Sequence, residues 1–565
     1  MARTISVGAQ DFTKIRENNY FYIDKTNFIK EWWDGGDSVT LITRPRRFGK
    51  TLNMSMVECF FSNKYANRGD LFEGLNIWKD EKFRNLQGTY PVIFLSFAGI
   101  KHTDYTNTRE RINKLLADIY NQHSWMLADS CFTETDRENF KAVNTQMSDS
   151  AAAGALNQLC EWFYRYYGKK CIILLDEYDT PLQEAYINGF WDELVGYTRA
   201  LFNNTFKTNP YLERGLMTGI TRVSKESIFS DLNNLNVVTT TSKEYMTCFG
   251  FTEDEVFNSM KEQNIPESEQ MTVKRWYDGF TFGTQTDIYN PWSVTMFLDK
   301  KEANAYWVNT SGNGLINTIL REGDRRVKQE FEKLLADDSI EATIDEQIIF
   351  NQLTGNPNAI WSLLLASGYL KVDRIIRDVP EDEPVYVLRL TNFEVKRMFY
   401  SMVSGWFSNT AGFGDFITAM LAGDEESMNE YMNEIALDTF SFFDVGKHSS
   451  STGNPERFYH GFVLGLLVDK SADYILKSNR ESGFGRYDAV MEPKNLSDIA
   501  VIMEFKVFNP NREVSLSDTV ENALMQIEEK HYAADLLAKG IPSEHILKYG
   551  FAFEGKKCLI KKATS

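Results

Sequence analysis

The chain has 565 residues, 43% hydrophobic and 14% aromatic, with a net charge of −18 at neutral pH. This composition is that of a multidomain globular protein, and the acidic balance excludes coating of nucleic acid by bulk attraction. No apolar run reaches bilayer length, "MARTISVGAQDFTKI" has no signal-peptide core, and the six cysteines and six histidines lack zinc spacing, so the expected address is the cytoplasm, without a membrane partner, disulfides or structural zinc.

In chain order, the apolar runs "SVTLIT", "YPVIFLSF", "CIILLDEYD" and "RGLMTGITR" alternate with longer helical stretches. Alternation of this kind predicts βαβ units on a buried parallel sheet, an α/β domain over residues 1–250. Just after the first run lies "RPRRFGKT", Arg44 to Thr51. In a G-x-x-x-x-G-K-[ST] loop the backbone amides cradle phosphates, the lysine reaches the β and γ oxygens, and the hydroxyl binds Mg²⁺. Gly49, Lys50 and Thr51 fit the last three positions, while Arg44 stands where the first glycine belongs. The third run ends in Asp176 and Glu177, the pattern of a strand whose terminal aspartate holds Mg²⁺ through water and whose next acid polarises the attacking water. Alone, each segment reads as an ordinary loop or strand end; in this order on this pattern they read as a nucleotide site.

From about Gly250 helical periodicity takes over, and residues 251–395 are expected to form a mainly helical lid or winged-helix-like module with short strands such as "YVLRL". The Ser- and Gly-rich joint "GKHSSSTGNPE" then precedes a last α/β unit, at about 455–565 within a third region of 396–565. There "GRYDAVMEPKNLSDIAVIMEFKV" sets Asp488 in one short strand and Glu504 and Lys506 in the next. Antiparallel pairing would bring the two carboxylates together, with Lys506 on the same face as Glu504. Such a set suits a divalent metal and a positioned water for phosphodiester hydrolysis. From Lys477 onward the chain carries 13 basic and 13 acidic residues, so this tail is neutral on an acidic protein.

Two resemblances follow from these residues. "YFYIDKTNFI", "RPRRFGKTLNMSM", "LLDEYDTPL", "TGITRVSKESIFSDLNNL", "YDGFTFG" and "IYNPWSV" resemble, in wording and order, the signatures of the AAA-ATPase-like family of bacteria and archaea, in which R-P-R-R-F-G-K-[ST] is the usual loop. That resemblance implies a P-loop ATPase core with ATP and Mg²⁺ as cofactors. It implies phosphate contacts at Gly49 and Lys50, Mg²⁺ coordination at Thr51 and Asp176, water activation by Glu177 and a polar sensor at Thr221. Arg222 either supplies a charge to the transition state or caps a strand at the surface. Arg46 and Arg47 either add charge beside the phosphates or stay solvated.

The last 110 or so residues, from Pro455, resemble the PD-(D/E)XK nuclease superfamily, in the small form found attached to that ATPase family. The resemblance implies a restriction-endonuclease-like α/β domain with Mg²⁺ or Mn²⁺ at Asp488 and Glu504, catalytic support from Lys506, an accessory acid at Glu456 and a positioning contact from Gln526. Tyr487 stands where the motif's name has proline, and His460 either lines the cleft or is structural. The expected function is an ATP-binding and hydrolysing protein coupled to a metal-dependent nuclease on nucleic acid, DNA rather than RNA, with self-association or a protein partner left open. The alternative is an ATP-regulated switch or assembly protein whose C-terminal domain only docks.

Overall fold

The computed structural model describes residues 2–221, 229, 232–310, 314–322, 325–345, 356–377, 384–407, 413–439, 473–482, 485–554 and 557–563. The chain divides into two compact units, Met1–Leu315 with Glu341–Glu394, and Ile316–Ile340 with Val395–Ser565.

The first unit is built on β1 (Val39–Thr43), β2 (Val92–Ser96), β3 (Cys171–Asp176), β4 (Leu212–Gly219) and β5 (Leu235–Val238), all parallel, in the order β2-β3-β4-β1-β5. Every residue of β1 and β3 is buried. Strands covered by helices on both faces have no solvent side, which is why these segments read as largely apolar runs instead of alternating. Thr43 pairs with Gly219, and Leu175 with Met217, so β1, β3 and β4 all end at one edge of the sheet. That edge receives the loop after β1, the acidic residues after β3 and Thr221 after β4.

The helix Lys50–Phe61 leaves this edge with Gly49 as its N-cap in the left-handed region. Below it an aromatic core of Phe12, Trp32, Phe60, Phe61 and Phe72 fixes the helix against the sheet. Residues further on are mainly helical with two small sheets. One holds β6 (Phe251–Thr252), β7 (Phe280–Phe282) and β8 (Gln285–Tyr289) in the order β6-β8-β7. The other holds β9 (Ile340–Thr343), β10 (Leu370–Arg377) and β11 (Val385–Leu390) in the order β10-β11-β9. Helix starts here carry their own signals: Thr252 and Glu255 form a capping box, and Asn290 caps Pro291–Lys300, which has proline in its first turn.

The second unit carries a mixed sheet of β12 (Tyr474–Ser482), β13 (Gly485–Pro493), β14 (Ala500–Val507), β15 (Ile546–Glu554) and β16 (Lys557–Lys562), paired in sequence order. All pairs are antiparallel except β14 with β15, which the helix Leu516–Glu529 connects as a crossover. The fold class is thus α/β, with a parallel-sheet core, a mainly helical middle and a C-terminal mixed α/β domain.

Candidate functional site

The loop from β1 to its helix is shaped by two residues with positive φ, Arg47 at 66° and Gly49 at 77°. Between them and the helix start, the main-chain N–H groups of Gly49, Lys50 and Thr51 donate to no group among the described residues. Unsatisfied amides at a helix N-terminus favour an anion. Lys50 is buried, and its Nζ donates to the carbonyls of Arg44 and Pro45, each at 2.8 Å. Burial pulls this ammonium down to about 8, opposed by the charges of Glu177, Asp179 and Asp176.

The acids after β3 close the other side. Thr51 Oγ1 donates to Asp176 Oδ2 at 2.8 Å, and Thr218 Oγ1 donates to Asp176 Oδ1 at 2.5 Å. Burial raises the Asp176 carboxyl, while these two hydroxyls oppose the shift. Glu177 sits at a φ of 51°, its amide donates to Thr218 Oγ1 at 3.3 Å, and its Oε2 accepts from Thr180 Oγ1 at 3.1 Å. A non-glycine residue in that region is strained and is held by its neighbours. Asp179 is fully buried, and its Oδ2 accepts from the amides of Ile220 and Thr221, from Thr221 Oγ1 and from Gln183 Nε2, at 2.9 to 3.1 Å. The hydroxyl of Thr221 is therefore aimed at Asp179 in this arrangement. Arg222 lies outside the described residues.

Arg44 has a role that its place in the sequence does not announce. Its side chain is fully buried. Nη1 donates to the carbonyls of Thr43 and Thr239, Nη2 donates to the carbonyl of Glu244 at 3.3 Å, and the guanidinium lies 4.4 Å from the ring centre of Phe282. Burial draws it down to about 10, which leaves it charged at neutral pH. The neighbours do similar work. Phe48 packs edge-on against Phe280 and Phe282 at 4.7 and 5.5 Å, Arg47 lies 4.6 Å above Trp292, and Pro45 fills the space that a Cβ on Gly368 would occupy. Arg46 reaches Gln183 Oε1 at 3.3 Å at the surface. Four of the five residues from Arg44 to Phe48 thus bind the segments 239–250, 280–292 and 368.

Sequence reasoning also passed over a carboxylate cluster beside β6, β7 and β8. Glu253, Asp278 and Asp287 converge, with Lys274 Nζ 2.5 Å from Glu253 Oε2 and 3.1 Å from Asp287 Oδ1. Burial pushes Asp278 up to about 7. The "YDG" and "DIY" stretches held this signal, though nothing in them says that they meet.

In the second unit Ala489 pairs with Met503, so Asp488 and Glu504 take the next facing positions on β13 and β14. Asp488 Oδ2 accepts the amide of Phe505 at 2.9 Å. Glu504 is buried and bonded through Oε1 to Gln526 Nε2, whose own Oε1 accepts from Lys506 Nζ at 2.7 Å. Tyr532 completes the group, its hydroxyl 3.0 Å from Gln526 Nε2. Burial raises Asp488, against the Phe505 amide and Lys506. Two hard carboxylate oxygens with a lysine alongside fit a divalent cation of the Mg²⁺ type. Glu456 and His460 lie outside the described residues.

Comparison with known proteins agrees with this geometry at domain level. Residues 6–229 match the AAA-ATPase-like family, described as a predicted AAA-ATPase, and residues 454–563 match the PD-(D/E)XK nuclease superfamily. The chain carries one domain of each. A protein of Azotobacter chroococcum mcd 1, described as an uncharacterized protein in the vnfD 5′ region, is 26% identical over 564 residues, covering 98% of this chain and 97% of that one. No helix among the described residues is long and apolar enough to cross a membrane.

The Arg44 contacts predict an outcome opposite to that suggested by the loop pattern. Arg44→Gly restores the consensus glycine yet leaves the carbonyls of Thr239 and Glu244 without their donor. It should lower stability by about 2–4 kcal/mol, read as an earlier urea midpoint of the full chain, with Arg44→Lys intermediate.

Proposed function

We propose that the first domain binds ATP at "RPRRFGKT" and hydrolyses it, and that the C-terminal domain cleaves nucleic acid phosphodiesters with a divalent metal, DNA being the intended substrate and the cytoplasm the setting. The observation that carries the second half is the chain Lys506–Gln526–Glu504 facing Asp488 across β13 and β14. A docking module has no need to bury a glutamate and hold a lysine beside it through one amide, since each such group costs free energy to desolvate.

In the first domain the amides of Gly49, Lys50 and Thr51 would meet phosphate oxygens, and Lys50 would exchange its two carbonyl partners for the β and γ phosphates. Thr51 and Asp176 would hold Mg²⁺, which when bound neutralises phosphate charge. Glu177, held by Thr180 and Thr218, would polarise the attacking water, and Asp179 holds the hydroxyl of Thr221. In the last domain Asp488 and Glu504 would hold Mg²⁺ or Mn²⁺, which supplies charge stabilisation at the scissile phosphate. Gln526 aims Lys506, whose ammonium then orients the water or the phosphate oxygen.

Two pairs of variants test the halves separately. Lys50→Ala should weaken ATP binding by at least about a hundredfold in calorimetry, whereas Glu177→Gln should bind normally and not turn over. Unchanged binding in the first, or wild-type turnover in the second, removes the ATPase assignment of these residues. Lys506→Ala should keep metal binding and lose DNA cleavage, while Asp488→Ala should lose both, with ATP turnover preserved in each. A wild-type protein that cuts no DNA or RNA in Mg²⁺ or Mn²⁺ with ATP present would leave the docking reading in its place.

A further inference from the structure

The helix Asp149–Tyr167 ends in "EWFYRYY", followed by "GKK", and its last turn leaves large rings in solvent. Tyr164 is 43% exposed, Tyr166 38% and Tyr167 36%, and Trp125, from the 3₁₀ turn Ser124–Ala128, is 48% exposed beside them. Surface aromatics are normally scattered, so the three that touch one another, Trp125, Tyr166 and Tyr167, ask for a partner.

The rings are held in place from beneath. Trp125 meets Tyr166 at 5.2 Å and 78°, and Tyr166 meets Tyr167 at 4.9 Å and 84°. His123 and Phe163 form the layer below, 4.8 Å apart, and Phe163 supports Tyr167 at 5.8 Å. Edge-to-face contacts of this kind fix each ring while leaving ring faces open, so little rotamer freedom remains to be lost on binding.

The charges at the rim point to the partner's chemistry. Gly168 stops the helix in the left-handed region, and Lys169 and Lys170 follow it, both exposed and in no ion pair among the described residues. Lys169 Nζ lies 4.6 Å over the ring of Tyr90. His123, under the rings, is pushed down by burial and then by the charge of Lys64, which is 68% exposed and lies 4.0 Å from the Glu58 carboxylate. Arg165 is already taken by Asp136 at 2.7 Å. Lys169 and Lys170 thus follow the rings directly in the chain, and Lys64 acts on the layer beneath them, on a chain whose net charge is −18.

We propose that this surface binds single-stranded nucleic acid, with bases stacked on Trp125, Tyr166 and Tyr167 and the backbone phosphates on Lys64, Lys169 and Lys170. The inference rests on the reading of the protein as one that acts on nucleic acid, and names the form of strand it holds. Unstacked bases offer π faces to rings in a way that a duplex does not, and the lysines meet the phosphates that accompany them. A protein partner would be served equally by the rings but has no general use for Lys169 and Lys170, which are in no ion pair among the described residues.

The test uses the full chain in EDTA, which stops metal-dependent cutting, with fluorescein-labelled dT₂₀ and a 20-base-pair duplex followed by anisotropy. The single strand should bind at least about tenfold tighter than the duplex, and should quench tryptophan emission. Trp125→Ala and Tyr166→Ala should each weaken it by about tenfold, and Lys169→Glu with Lys170→Glu should weaken it and flatten its salt dependence. Wild-type affinity in all of these variants overturns the proposal. So does a fall in native mass of Trp125→Ala without oligonucleotide, which would make the face a contact between copies. The two readings fail separately: binding that depends on Trp125 without any cleavage in metal sinks the nuclease alone, and cleavage with binding indifferent to Trp125 sinks this surface alone.

Discussion

A single buried guanidinium sets the shape of the loop that follows β1. Arg44 replaces the small first residue of a phosphate loop with a side chain that crosses to the carbonyls of Thr239 and Glu244 and lies against Phe282. Burying a cation is costly unless carbonyls and ring faces surround it. The arrangement persists because they do, and the consequence is that the loop cannot change shape without disturbing 239–250 and the β7–β8 hairpin. Phe48 between Phe280 and Phe282, Arg47 over Trp292, and Pro45 against Gly368 extend the same tie. Glycine matters at the far end of it: a Cβ on Gly279, at a φ of 112°, would stand 2.1 Å from the Thr391 carbonyl.

The two candidate sites share a construction. In each, strand ends or facing strand positions bring carboxylates together, one cation stands beside them, and a neutral hydrogen-bonding side chain holds a charged group in place. Thr51 and Thr218 do this for Asp176, and Gln526 does it for Glu504 and Lys506. Neutral partners fix geometry without cancelling the charges on which binding of phosphate or metal depends.

Much of this was legible in the sequence because it depends on local period. The runs that became β1 and β3 are mostly apolar because every position in them is buried, and helix starts at Thr252 and Asn290 carry their caps in the sequence. Asp488, Glu504 and Lys506 could be put on one face because strand side chains alternate and an antiparallel partner mirrors them. The role of Arg44 could not be read. Its partners are carbonyl oxygens nearly two hundred residues away, and a carbonyl has no letter in the sequence. Asp179 was similarly opaque: "DEYDT" shows three acids, and only the fold decides that the last one collects the amides of Ile220 and Thr221. The aromatic hairpin was visible as "YDGFTFG" without any indication that its rings receive Phe48.

Hydrogen–deuterium exchange of the full chain with and without ATP and Mg²⁺ addresses the central claim, that the loop after β1, proposed to hold the phosphates, and the segments gripping its side chains respond as one piece. Slower exchange is expected in 44–52 and, at the same nucleotide concentration, in 239–250 and 280–289. Protection confined to the loop and its helix, with 239–289 exchanging as before, would contradict it.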